Sequence, residues 1–103
     1  MPQVNEVQII LIKPQNGLIG FASFVLNNSL YLSGIGIHSK LAGNGYRLTY
    51  PTRKAGQQQN TIFHPINRTL GQEIEQAILT KLNDVMEKYN DRHRGIDDGL
   101  HPV

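Results

Sequence analysis

Arg53, Lys54 and Arg68 are the side chains in this 103-residue sequence whose type and placement best suit binding chemistry. They lie in YPTRKAGQQQNTIFHPINRT, residues 50–69, and no acid stands between Glu6 and Glu73. Guanidinium and ammonium groups without a carboxylate nearby attract phosphate oxygens, and phosphate contacts supply most of the sequence-independent affinity for nucleic acid. Gln57, Gln58, Gln59 and Asn60 follow the basic pair. Their amides carry the donor and acceptor that match adenine in a major groove, so Gln57 and Gln58 join the three cations as candidate nucleic-acid contacts. Arg68 precedes an expected helix start, where backbone N–H groups favour anions. Tyr46, Tyr50 and Phe63 have rings that can stack on unpaired bases. Aromatics in short strands more often pack inward, and Phe63 is assigned to the core.

Catalysis finds no comparable constellation. His64 has neither a second histidine nor an acid close to it in sequence. A metal site needs several ligands at suitable spacing, so neither a metal nor a cofactor is expected. His64, Pro65 and Asn67 read instead as the geometry by which the chain enters a helix. Ser23, Ser33 and Ser39 lack any surrounding motif for nucleophilic work. No catalytic residue is assigned, and the chain is not read as an enzyme.

The totals agree with a binding protein. Net charge is only +2, yet residues 1–72 carry six cations against one acid, whereas residues 73–103 carry four against seven. That asymmetry points to an anionic partner for the first part. Hydrophobic residues make up 39% and charged residues 17%, a globular balance rather than a disordered one. The absence of cysteine excludes disulfides and thiolate metal sites and fits a cytoplasmic location. No run reaches the roughly 18 apolar residues of a membrane span, and the N-terminus lacks the basic start of a signal peptide.

The elements that must position these residues are strands followed by a helix. Gln3 to Lys13, Leu18 to Leu26 and Leu30 to Ser39 are rich in Val, Ile and Leu, and Asn16-Gly17 and Asn27-Asn28-Ser29 separate them. Asn-Gly is favoured chemistry for a tight hairpin, and connections this short imply antiparallel pairing. A short strand from Tyr46 to Tyr50 follows Gly43-Asn44-Gly45, and a last one, Thr61 to Phe63, is expected to close the sheet. Leu70, Ile74, Ala77, Ile78, Leu82, Val85 and Tyr89 then recur at helical spacing. Thr69-x-x-Gln72 suits a capping box, Pro65 forbids an earlier start, and Gly95 suits a stop. The fold class is α+β, an antiparallel sheet of four to five strands with one long C-terminal amphipathic helix on one face.

One helix covers one face only. Alternation nevertheless puts Val7, Ile9 and Leu11 on one side of the first strand and Ile10 and Ile12 on the other. The second strand sets Ile19, Phe21 and Val25 against Leu18, Ala22, Phe24 and Leu26, and the third sets Leu32 against Tyr31, Ile35 and Ile37. An apolar second face needs a cover, and a second copy of the chain is the simplest one, which predicts a homodimer through the sheet.

Pro51-Thr52-Arg53-Lys54, then His64-Pro65-Ile66-Asn67, then an amphipathic helix from Leu70 resembles the SpoVG family of bacterial septation and sporulation regulators. The resemblance spans roughly Val4 to Tyr89. It implies a single SpoVG-like domain, taken as residues 1–94, and a dimeric protein that binds DNA or RNA near the basic pair and the helix. The acidic segment from Gly95, residues 95–103, is expected to be a flexible tail. Gln8-Ile9-Ile10-Leu11-Ile12 is bare of the arginines common in the family's first strand. Glutamines replace charged groups in the loop after Arg53 and Lys54. Each change lowers attraction to phosphate. The rival reading is a protein–protein interaction module in which the basic loop is incidental.

Overall fold

The computed structural model describes residues 3–40 and 45–100, with side chains to Tyr89. Strands β1 (Val4–Gln15), β2 (Leu18–Leu26), β3 (Leu30–Ser39) and β4 (Tyr46–Thr49) form one antiparallel sheet in the order β1-β2-β3-β4. A second, two-stranded sheet pairs β5 (Thr52–Ala55) with β6 (Gln58–Thr61), and α1 (Arg68–Leu100) completes the chain. The architecture is the expected α+β one.

Turn chemistry sets the hairpins. Asn16 and Gly17 have φ values of 54° and 91°, and Asn27 and Asn28 both have 53°. Asparagine and glycine tolerate this left-handed region, and two such residues in sequence give a turn whose twist matches the strands it joins. Asn27 also anchors the start of β1. Its Oδ1 accepts from the Gln3 N–H at 2.9 Å, and its own N–H donates to the Gln3 carbonyl at 2.8 Å.

The core lies between one sheet face and α1. Ala22, Phe24, Ile35, Ile37, Ile74, Ile78 and Leu82 are buried, and Val7, Ile9, Leu11 and Leu32 pack against them. Leu32 departs from simple alternation. Phe24 pairs with Leu32 but Ala22 pairs with Ile35, so β3 holds an extra residue between them, with Gly34 at φ 82°. This bulge turns Leu32 onto the same face as Ile35 and Ile37 rather than opposite them. A similar shift lies between Leu18 and Gly20, and Ile19 packs with the core instead of with Phe21.

Among the described residues nothing covers the other face. Ile10 is 67%, Tyr31 65% and Phe21 39% exposed. Gln8, Ser23 and Ser33 surround these three in a shallow hollow. Ile10 and Phe21 are directly paired across β1 and β2.

Two expectations about the ends of elements are corrected. No strand runs from Thr61 to Phe63 to close the large sheet. Thr61 ends β6 in the separate two-stranded sheet, and Phe63 lies beyond it, ring edge towards Tyr50 at 5.9 Å and 80°. The segment has few apolar residues to bury in a sheet, so it pairs locally. At the other end, α1 continues through Gly95 to Leu100. A glycine keeps its N–H and costs a helix only about 1 kcal/mol, so it does not by itself end one. Gly43 and Asn44 of the expected corner, and residues 101–103 of the expected tail, lie outside the described residues.

Candidate nucleic-acid interface

The basic pair stands on a ribbon, not in a loop. Thr52 pairs with Thr61, Arg53 with Asn60, Lys54 with Gln59 and Ala55 with Gln58, and every one of these residues is exposed. Gly56 and Gln57 make the two-residue turn, with Gly56 at φ 65°. Glycine at positive φ in the first turn position is the requirement of a type II′ hairpin. At the ribbon's base the Ile62 N–H donates to the Pro51 carbonyl at 2.8 Å. Local sequence explains the form: β-branched threonines at the ends, a glycine at the tip, and nothing large and apolar to draw the segment into the core.

Strand alternation divides what looks in sequence like one basic pair. Adjacent residues point to opposite faces, so Arg53 shares a face with Ala55, Gln58 and Asn60, while Lys54 shares the other with Thr52, Gln59 and Thr61. On the Lys54 face the Gln59 amide donates to Thr52 Oγ1 at 2.8 Å. Among the described residues, Arg53, Gln58 and Asn60 make no side-chain hydrogen bond, which leaves the amides on the Arg53 face unengaged.

Arg68 stands elsewhere. It is the first residue of α1 and lines a groove of about 540 Å³ between that helix and β4, together with Lys40, Arg47, Tyr46, Tyr50 and Glu75. No ribbon residue lines this groove. Proximity in sequence groups Arg68 with Arg53 and Lys54 and passes over Lys40 and Arg47. The signal for those two is the strand register, since β4 carries Arg47 and pairs with the stretch of β3 that ends next to Lys40.

The His-Pro-Ile-Asn segment connects ribbon to helix. Asn67 Oδ1 accepts from the Leu70 N–H at 2.7 Å, and the Asn67 carbonyl accepts from the Gly71 N–H at 3.1 Å. Asn67 is therefore the helix N-cap, two residues before the Thr69 box expected from sequence. Asparagine outranks threonine as a cap, and capping at Asn67 lets Thr69 enter the first turn. Pro65 packs beside Gly71, where an added Cβ would lie 3.5 Å from the proline ring. His64 is exposed, with Nδ1 3.1 Å from the Pro65 carbonyl, and among the described residues no group of three or more His, Asp or Glu could hold a metal. Among the described residues, Tyr50 has a displaced titration. Burial raises its pKa above the usual 10.0, and Glu75 adds to the effect.

Residues 2–84 match the SpoVG family. The chain belongs to the SpoVG family. One curated relative, "Putative septation protein SpoVG" of Finegoldia magna, is 30% identical over 87 residues, covering 84% of this chain and 79% of the relative. The family and the relative's name support a septation- or sporulation-related role for the chain. No described helix is long and apolar enough to cross a membrane.

Proposed function

We propose that this SpoVG-family chain is a cytoplasmic regulator of gene expression that binds DNA or RNA as a homodimer and performs no enzymatic step. The observation that carries the reading is the β5–β6 ribbon, exposed along both strands, bearing Arg53 and Lys54 and lacking any acid. A two-stranded ribbon fits a major groove of about 12 Å, and four residues of strand span roughly 13 Å of it. The Arg53 face is the one that meets the nucleic acid. Arg53 supplies charge, and Gln58 and Asn60 offer unengaged amides to base edges. Gln57 at the tip and Lys54 on the reverse face reach the flanking phosphates.

The homodimer follows from the bare sheet face. Ile10, Phe21 and Tyr31 are exposed around one hollow that a second copy would cover by a two-fold operation, presenting two ribbons per particle.

The test is binding of labelled duplex DNA and single-stranded RNA at low salt, with the parent chain beside an Arg53→Ala, Lys54→Ala double variant. The variant is expected to lose at least tenfold in affinity on every sequence alike. Equal binding by the two chains refutes the ribbon as the contact. No binding by the parent to either polymer leaves the protein-interaction reading in its place.

A further inference from the structure

We infer that the groove between β4 and the start of α1 is a second phosphate site, one that takes the backbone of the nucleic acid as it leaves the ribbon. The inference rests on the nucleic-acid reading and adds a binding surface to it.

Charge in the groove is lopsided. Lys40, Arg47 and Arg68 line it against a single carboxylate, Glu75. These three cations come from three places in the chain, the end of β3, β4 and the first residue of α1, and only the fold brings them to one trough. Arg68 occupies a position where the helix dipole favours an acid, and the first turn of α1 has no acid at all. A cation there opposes the helix's own electrostatics, which suits a residue kept for a ligand's charge.

Shape and continuity point the same way. A volume of about 540 Å³ admits a nucleotide-sized unit, and the groove is open rather than enclosed, as a passing strand requires. Tyr50 lines it, and the next residue, Pro51, forms the base of the ribbon through its bond to Ile62. The groove therefore begins one residue from the base of the ribbon, within reach of a strand held there. Gln72 and the tyrosines Tyr46 and Tyr50 add polar groups to the groove wall.

Glu75 allows a test by gain rather than loss. Its carboxylate already acts on the Tyr50 hydroxyl from within the groove. A phosphate in the same space would be repelled, so Glu75→Gln is expected to tighten binding about twofold to threefold at low salt. Asp84→Asn makes the same change of charge farther along α1, where Asp84 pairs with Lys88 at 3.4 Å, and is expected to change nothing. Lys40→Ala with Arg47→Ala should weaken binding and lower the salt dependence by about one unit of log–log slope for each phosphate left unneutralised.

The experiment measures duplex and single-strand affinity for these variants alongside the Arg53→Ala, Lys54→Ala chain, with a thermal melt to verify that each folds. Tightening by Glu75→Gln alone and weakening by Lys40→Ala, Arg47→Ala support the groove. Parent-like binding by both groove variants, or equal tightening by Asp84→Asn, overturns it. The ribbon reading then stands or falls separately on whether the ribbon variant binds more weakly.

Discussion

The β5–β6 ribbon and the four-stranded sheet use the same hydrogen-bonding pattern to opposite ends. Strands β2 and β3 bury Ala22, Phe24, Ile35 and Ile37 against α1, whereas every residue of β5 and β6 is exposed. A hairpin without an apolar face is marginally stable in isolation. The ribbon is held by its turn, by backbone pairing and by the Gln59–Thr52 bond, and it is anchored to the body at its base. On the proposed reading, stability resides in one region and recognition in the other. Substitutions should therefore separate cleanly into those that unfold the chain and those that only disarm it.

The largest effect belongs to the core. Phe24 is fully buried, and Phe24→Ala should cost about 3–5 kcal/mol of unfolding free energy in a denaturant titration. Lys54→Ala, on the exposed ribbon, should hardly move the same curve. A comparable destabilisation from both would abolish the division. Next comes the contrast between the sheet's own faces. Phe21→Glu on the uncovered face should leave the fold intact yet halve the particle mass measured by light scattering, because it sets two carboxylates into a two-fold apolar contact. A parent chain that is already single in solution would remove the covered-face argument.

Between ribbon and body stands the Asn67 cap. Asn67→Ala should cost about 1 kcal/mol, and Asn67→Asp or Asn67→Ser should recover most of it, read from thermal melts. Tyr50, where the groove meets the ribbon, gives the smallest effect. Its pKa is raised in the folded chain by burial and then by Glu75, so the folded state holds its proton more tightly than the unfolded state does. Its contribution is present below pH 10.0 and is lost as pH rises through the higher folded value, so stability should begin to fall near pH 10. Tyr50→Phe should make that alkaline decline shallower.

The sheet and helix are legible in the sequence because their signals are periodic. Ile74, Ile78 and Leu82 recur on one helical face and are the buried ones, and Asn16-Gly17 and the Asn27-Asn28 turn stand where the chain reverses. Simple alternation misplaces Leu32 because a single extra residue at Ser33–Gly34 inverts every later position in a period of two. The ribbon reads as a loop because Gln58, Gln59 and Asn60 have low strand propensity and no alternation of apolar and polar residues. Its pairing depends on the turn at Gly56 rather than on burial. The groove is not legible from spacing at all. Lys40 and Arg47 are seven residues apart and Arg68 is twenty-one further on, and only strand register and the helix start bring the three together.

The most direct measurement is the slope of log affinity against log salt for duplex DNA, parent against the Arg53→Ala, Lys54→Ala chain. Four cations leave the proposed dimer in that change. The slope should flatten by about 3 to 4 units if all four meet phosphates, with every sequence weakened in parallel. Two lines of equal slope would show that the ribbon touches no phosphate and would contradict the account.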